Sequence, residues 1–163
     1  MTTTQPTFQV HQKLLEVRIA ATPERVWRAL VEEASSWWHR DFYTGANPQG
    51  FHFEPRLGGR MWEDWGDGQG LVWGTVIGVR HREFLQVSGL LDASFGGPAG
   101  LINTWRLAAD GDATTLRFEE TTYGATSMAT LRSLDVGWQF LIERCLKGWI
   151  ETGKRCTDPA PTE

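Results

Sequence analysis

The order of hydrophobic patterns along this 163-residue chain predicts an α+β fold, with a curved antiparallel sheet of about six or seven strands wrapped around a long C-terminal helix. Two short helices are expected after the first strand. Three observations carry this. The proline-free stretch from Thr126 to Lys154 repeats its apolar residues at steps of three and four. A series of short alternating segments separated by Gly-rich turns lies between Lys13 and Thr122. A helix-start signal, Thr22-Pro23-Glu24, sits directly behind the first of those segments.

In chain order, residues 1–12 are polar and read as a flexible N-terminal segment, and residues 13–154 as a single domain. Lys13 to Ala20 alternates, with Leu15, Val17 and Ile19 on one face, as a half-buried strand does. Thr22 then serves as an N-cap and Pro23 as the first helical residue, since proline lacks the N–H that a helix start leaves unpaired anyway. Val26, Trp27, Leu30 and Val31 follow at helical spacing, and Glu33 to Arg40 adds another turn or two. Strands are predicted over Phe51 to Glu54, Arg60 to Trp65, Leu71 to Arg80 and Glu83 to Gly89, as an antiparallel meander. Leu91 to Gly100 reads as a glycine-rich loop long enough to act as a lid. Leu101 to Ala108 and Thr114 to Thr122 form the clearest hairpin, around Asp110-Gly111-Asp112. Its simplest register pairs Leu107 with Leu116, Trp105 with Phe118 and Asn103 with Glu120 on one face, and sets Arg106 opposite Arg117.

The final helix carries Met128, Leu131, Leu134, Trp138, Leu141, Ile142, Cys145, Trp149 and Ile150 on its apolar stripe. At about 1.5 Å per residue it is roughly 40 Å long, so the stripe needs an extended partner such as a curved sheet. Gly137 and Gly148 indicate close packing or a bend. Gly153 is a stop signal, and residues 155–163 form a tail.

Composition narrows the function. A formal charge of −4, without a Lys/Arg cluster, argues against nucleic acid and against anionic membrane surfaces. No apolar run approaches the roughly 20 residues of a membrane span, and the polar start lacks a signal-peptide pattern, so a cytoplasmic location is expected. Cys145 and Cys156 lack zinc-ligand spacing and read as reduced thiols. The four histidines are scattered, and no phosphate- or dinucleotide-binding loop is present, so neither metal nor cofactor is expected.

The strand ending in Ala21-Thr22-Pro23-Glu24-Arg25-Val26-Trp27-Arg28-Ala29-Leu30, then Trp37-Trp38, Gly58-Gly59-Arg60 leading into a strand with Glu63, Trp73-Gly74-Thr75-Val76, and the helix from Gly137-Trp138 through Leu146, Trp149 and Gly153 together resemble the START-like or SRPBCC superfamily. The closer likeness is to the branch named for the activator of heat shock protein 90 ATPase. It covers about Lys13 to Gly153; the segment from Val79 to Glu83, where relatives often carry prolines, and the Leu91 to Gly100 loop depart from it. The resemblance implies a helix-grip fold with a deep cavity between sheet and long helix. It also implies a functional range that includes lipid and hormone carriers, polyketide cyclases and dehydratases, and chaperone activators, so that fold alone does not select a reaction.

Strand alternation supplies the candidate residues. Glu63 and Glu120 are the candidate acid or base groups, because a carboxyl in an apolar cavity has a raised pKa. Each has a structural alternative: Glu120 at the solvated rim where its strand leaves the core, Glu63 supporting the Gly58-Gly59 turn. Trp37, Trp38, Trp65, Trp73, Asn103, Trp105, Phe118, Trp138, Leu141 and Ile142 are the candidate ligand-binding residues, in a chain unusually rich in aromatics, with nine tryptophans and eight phenylalanines. His39 near Asp41 is expected at the surface. The reading is a protein that binds a small hydrophobic or aromatic molecule. A cyclase, dehydratase or hydrolase using Glu63 or Glu120 is the alternative, and a chaperone cofactor comes after it. A homodimer would suit surface tryptophans.

Overall fold

The computed structural model describes residues 7–162. One seven-stranded antiparallel sheet, in the order β1-β7-β6-β5-β4-β3-β2, curves around the C-terminal helical segment. Its strands are β1 (Thr7–Ile19), β2 (Gly50–Phe53), β3 (Arg60–Gly66), β4 (Gln69–Arg80), β5 (Phe84–Leu91), β6 (Ala99–Asp110) and β7 (Ala113–Thr126). This is the predicted helix-grip arrangement. β1 starts at Thr7 and not at Lys13, because β7 runs on to Thr126 and pairs Thr7 to Gln12 residue by residue. The expectation of a flexible start therefore fails for residues 7–12; residues 1–6 lie outside the described part.

Two helices follow β1, as expected: α1 (Pro23–Glu32) and the single turn α2 (Ala34–Trp37). The Thr22 hydroxyl accepts from the Arg25 N–H, and Pro23 occupies the first turn of α1. A 3-10 turn, Arg40–Phe42, then carries the chain toward β2. Here His39 is buried against Phe42 and Phe140, contrary to the expected exposure, because its Nδ1 accepts the Asp41 N–H and caps the turn.

The β6–β7 register is the one predicted, including Asn103 opposite Glu120 and Arg106 opposite Arg117. The two arginines are separated by their neighbours: Arg117 pairs with Glu119 and Arg106 lies over the Phe84 ring. The segment between β5 and β6 folds as a 3-10 turn, Ala93–Phe95, capped by the Asp92 carboxylate.

The long helix is composite. Ser127 caps α3 (Met128–Phe140), a π-helical stretch spans Leu141–Leu146, and α4 (Lys147–Thr152) ends at Gly153 with positive φ. The sequence reading started it two residues early, at Thr126, which still belongs to β7. Its burial is uneven. α3 buries Leu131, Gly137 and Trp138, whereas the shorter π stretch buries Leu141, Ile142, Cys145 and Leu146. Met128, placed on the predicted stripe, is exposed in the first turn. The second half of the helical segment thus packs tightly with α1 and the Trp105–Leu107 and Leu116–Phe118 part of the sheet, forming the main core. The first half stands over a looser part of the sheet, and that difference creates the site.

Candidate functional site

A cavity of about 210 Å3 lies between α3 and the inner face of β5, β6 and β7. Asn103 and Glu120, neighbours in the β6–β7 register, supply its polar groups from the sheet side. Gly137, Trp138 and Leu134 line it from α3, and Trp38 and Trp73 close other sides. A Cβ on residue 137 would sit 2.9 Å from the Phe42 ring, so the glycine permits the close approach anticipated from sequence.

Trp138 organises the site. Its indole meets Trp38, Trp105 and Phe118 with ring centroids 6.0, 5.6 and 4.7 Å away, and its Nε1–H donates to Glu120 Oε2 at 2.8 Å. Trp38 is fixed in turn by stacking on Phe51, centroids 3.6 Å apart. Behind the cavity, Trp105 Nε1 donates to Asn103 Oδ1 at 3.0 Å, which fixes the amide so that its nitrogen is on the other side.

Glu120 is almost fully buried, and this burial pushes its pKa up to about 7, against the Trp138 and Asn103 hydrogen-bonding groups that favour the ionised form. The charge of Asp135, on α3 and paired with His11 at 2.9 Å, adds to the rise. Asn103 Nδ2 is near enough to influence the carboxyl yet misses hydrogen-bond geometry with any partner. The indole nitrogens of Trp38 and Trp73 are likewise buried without an acceptor. A protonatable carboxyl in an apolar chamber can donate or accept a proton near neutral pH.

The structure separates the two carboxyls singled out from sequence. Glu63 is buried outside the cavity, where its carboxylate accepts the backbone N–H groups of Thr44 and Gly45 at 2.7 and 3.0 Å and the Thr44 hydroxyl at 2.8 Å. Burial works to raise its pKa, but these bonds outweigh it and hold the group below the ordinary range. Its place is therefore a loop anchor, and the loop is Thr44-Gly45, not the Gly58-Gly59 turn.

Among the candidate ligand-binding residues, Trp38, Trp73, Asn103, Trp138 and Leu141 line the cavity together with Glu120. Trp37, Trp105, Phe118 and Ile142 are sealed in the core, Trp37 donating to Ala29 O at 2.9 Å. Trp65 is 38% exposed, beyond the Thr44-Gly45 loop. Sequence reasoning missed Phe42, Met61, Leu91 and Leu101. The alternation of β3 and β6 points Met61 and Leu101 inward, which was an available signal; Phe42 sits in an irregular turn and gave none. The predicted lid segment lies beside the cavity, with Phe95 packed on Trp73 at 4.8 Å. Among the described residues no three His, Cys, Asp or Glu side chains converge as a metal site would require.

Many solved structures share this architecture, and three serve as examples. DynU16, from the dynemicin biosynthetic locus, superposes over 88% of the chain with a TM-score of 0.65 and 22% identity. The chain spans about half of DynU16, 48% of its length. CalU16 from Micromonospora echinospora matches over 90% of this chain and 85% of its own, with a TM-score of 0.60 and 16% identity. The Aha1 dimer from Colwellia psychrerythraea matches over 88% and 98%, with a TM-score of 0.63 and 19% identity. The chain has the START-like helix-grip fold. At these identities the START-like likeness is one of architecture. The chain matches no family model, and no curated protein matches it. No helix among the described residues is long and apolar enough to cross a membrane.

Proposed function

We propose that this START-like chain is a cytoplasmic protein that binds a small hydrophobic or aromatic molecule in the cavity between α3 and the sheet. The observation that carries the reading is the chamber itself: about 210 Å3, walled by Trp38, Trp73, Trp138 and leucines, with Glu120 and Asn103 as placed polar groups. An apolar cavity of about 150 Å3 is enough for benzene, so this one takes a substituted ring or two fused rings. Larger ligands require the Ala93–Phe95 segment to move.

Native mass spectrometry of the purified protein, with extraction of anything released on unfolding, tests retention without a guess at the ligand. Titration with naphthalene, followed by tryptophan fluorescence, tests the cavity directly. Leu134→Trp fills the space from α3 and is expected to abolish naphthalene binding while leaving the fold intact. Equal binding by both proteins would locate the site elsewhere.

One observation favours a second reading, an acid–base enzyme of the cyclase, dehydratase or hydrolase kind. It is the placement of Glu120, with a pKa near 7, against the chamber. On this reading Glu120→Gln retains naphthalene affinity and abolishes turnover. A chaperone-cofactor role rests on fold likeness alone. A homodimer is supported by the outer face of the sheet, where the register aligns Val10, Tyr123 and Leu90, all exposed, across β1, β7 and β5. Sedimentation of the wild type and of Val10→Lys tests it: a dimer lost in the variant supports that face, and a monomeric wild type removes the proposal.

A further inference from the structure

The cavity's polar groups are biased toward one kind of ligand. Three buried N–H donors on its lining side chains have no acceptor among the described residues: Asn103 Nδ2, Trp38 Nε1 and Trp73 Nε1. A buried donor without an acceptor is rare, because it has given up water for nothing. Asn103 is the strongest of the three. It is fully buried, its Oδ1 is held by Trp105, and its nitrogen is left beside the Glu120 carboxyl.

Charge then narrows the choice. Among the described residues no lysine, arginine or histidine lines the cavity, and Glu120 has Asp135 as a charged neighbour. A carboxylate or phosphate entering the chamber would lose its hydration and meet no counter-charge. A hydrocarbon would leave all three donors as they are. An ammonium would pair with ionised Glu120, but it would leave the Asn103, Trp38 and Trp73 donors as they are. What the site lacks is an uncharged acceptor.

We propose that the cavity's ligand is an uncharged one- or two-ring aromatic compound bearing a carbonyl oxygen, its rings packed among Trp38, Trp73 and Trp138 and its oxygen accepting from Asn103 Nδ2 beside Glu120. This rests on the reading of the cavity as a ligand site. The Trp138–Glu120 bond makes the arrangement selective: it occupies Oε2, so a protonated Glu120 has its hydroxyl free for the same carbonyl oxygen. Asn103 and Glu120 together then form a two-donor clamp on one atom, while the indole faces hold the ring plane.

The test compares four probes of similar size on the wild-type protein by calorimetry or fluorescence: 1-tetralone, the hydrocarbon tetralin, 1-naphthoate and 1-naphthylmethylammonium. The wild type is expected to bind 1-tetralone about tenfold more tightly than tetralin, since a site built to donate penalises a ligand that leaves its donors unpaired. 1-Naphthoate, which meets no counter-charge, is not expected to bind measurably, and 1-naphthylmethylammonium, which pairs with Glu120 but satisfies none of the three donors, is expected to bind more weakly than 1-tetralone. In Asn103→Leu the tenfold preference disappears and tetralin still binds.

If tetralin binds the wild type as tightly as 1-tetralone, or if either ion is preferred, the carbonyl proposal is overturned and the ligand-site reading stands. If none of the four binds, the ligand-site reading falls and takes the proposal with it. Because Asn103→Leu also removes the Trp105 acceptor and can fail to fold, the wild-type comparison decides alone in that event.

Discussion

Replacing Glu120 by glutamine should change how stability depends on pH, in a direction that ordinary loss of contacts would not give. In the folded chain burial raises this carboxyl from 4.5 to about 7, whereas in the unfolded chain water returns it to its ordinary range. Well below that range the group is protonated in both states and contributes no slope. As pH rises between the two values the folded state keeps a proton that the unfolded state has released, so stability falls. Above the folded value the loss is complete, and the gap corresponds to about 3 kcal/mol. Glutamine does not titrate, and its Oε1 can still accept the Trp138 N–H. Its added N–H2 faces Asn103 and costs about 1 kcal/mol as an unpaired donor. The variant should therefore be slightly less stable than the wild type near pH 4 and about 2 kcal/mol more stable near pH 8. The other groups around Glu120, namely the His11–Asp135 pair, Asp135 itself and Lys13 opposite it on β1, are present in both proteins and largely cancel in the difference. Urea unfolding at a series of pH values, read by tryptophan fluorescence, measures this difference. A flat difference across the range, or one that grows in favour of the wild type as pH rises, would refute a buried, protonated Glu120.

Glu63 should show the opposite sign: its lowered pKa means that its contribution is present above its ordinary range and lost as pH falls through the folded value. Glu63→Gln should cost about 2 kcal/mol near neutrality, less in acid, with naphthalene affinity unchanged, as urea titrations with and without the probe would reveal. Ser127→Ala removes the acceptor of the Thr130 N–H at the junction of β7 and α3, with an expected loss of about 1 kcal/mol in the same assay. Hydrogen exchange over residues 92–98 should slow when the cavity is saturated with naphthalene, since Phe95 packs on the cavity wall at Trp73; unchanged exchange would remove the lid role.

Much of the fold was readable because its signals are local. Thr22-Pro23 starts α1 through chemistry contained in three residues, and the Asp110-Gly111-Asp112 turn sets the β6–β7 register for the whole hairpin. The misreadings fall where distant chain intervenes. Residues 7–12 carry no strong strand pattern, yet they pair because β7 extends past Thr122. His39 looked solvated, yet Phe140 from the distant helix covers it.

The sequence by itself determined the element order, the inward face of each strand and the existence of an apolar stripe on the C-terminal helix, since side-chain periods of about 2 and 3.6 residues follow from backbone geometry alone. Tertiary structure decided which inward residues meet a cavity and which are sealed. Asn103, Trp105, Phe118 and Glu120 share one face of one hairpin; Trp105 and Phe118 lie in the core and Asn103 and Glu120 line the chamber, because the helix packs closely at one end of the sheet and stands away at the other. Glu63 and Glu120 are the same residue type, both directed inward by alternation. The Thr44-Gly45 backbone reaches one and lowers its pKa, while the other is left with one indole N–H bond in an apolar chamber and has its pKa raised. Period fixes the direction of a side chain, but its chemistry depends on which distant groups arrive beside it.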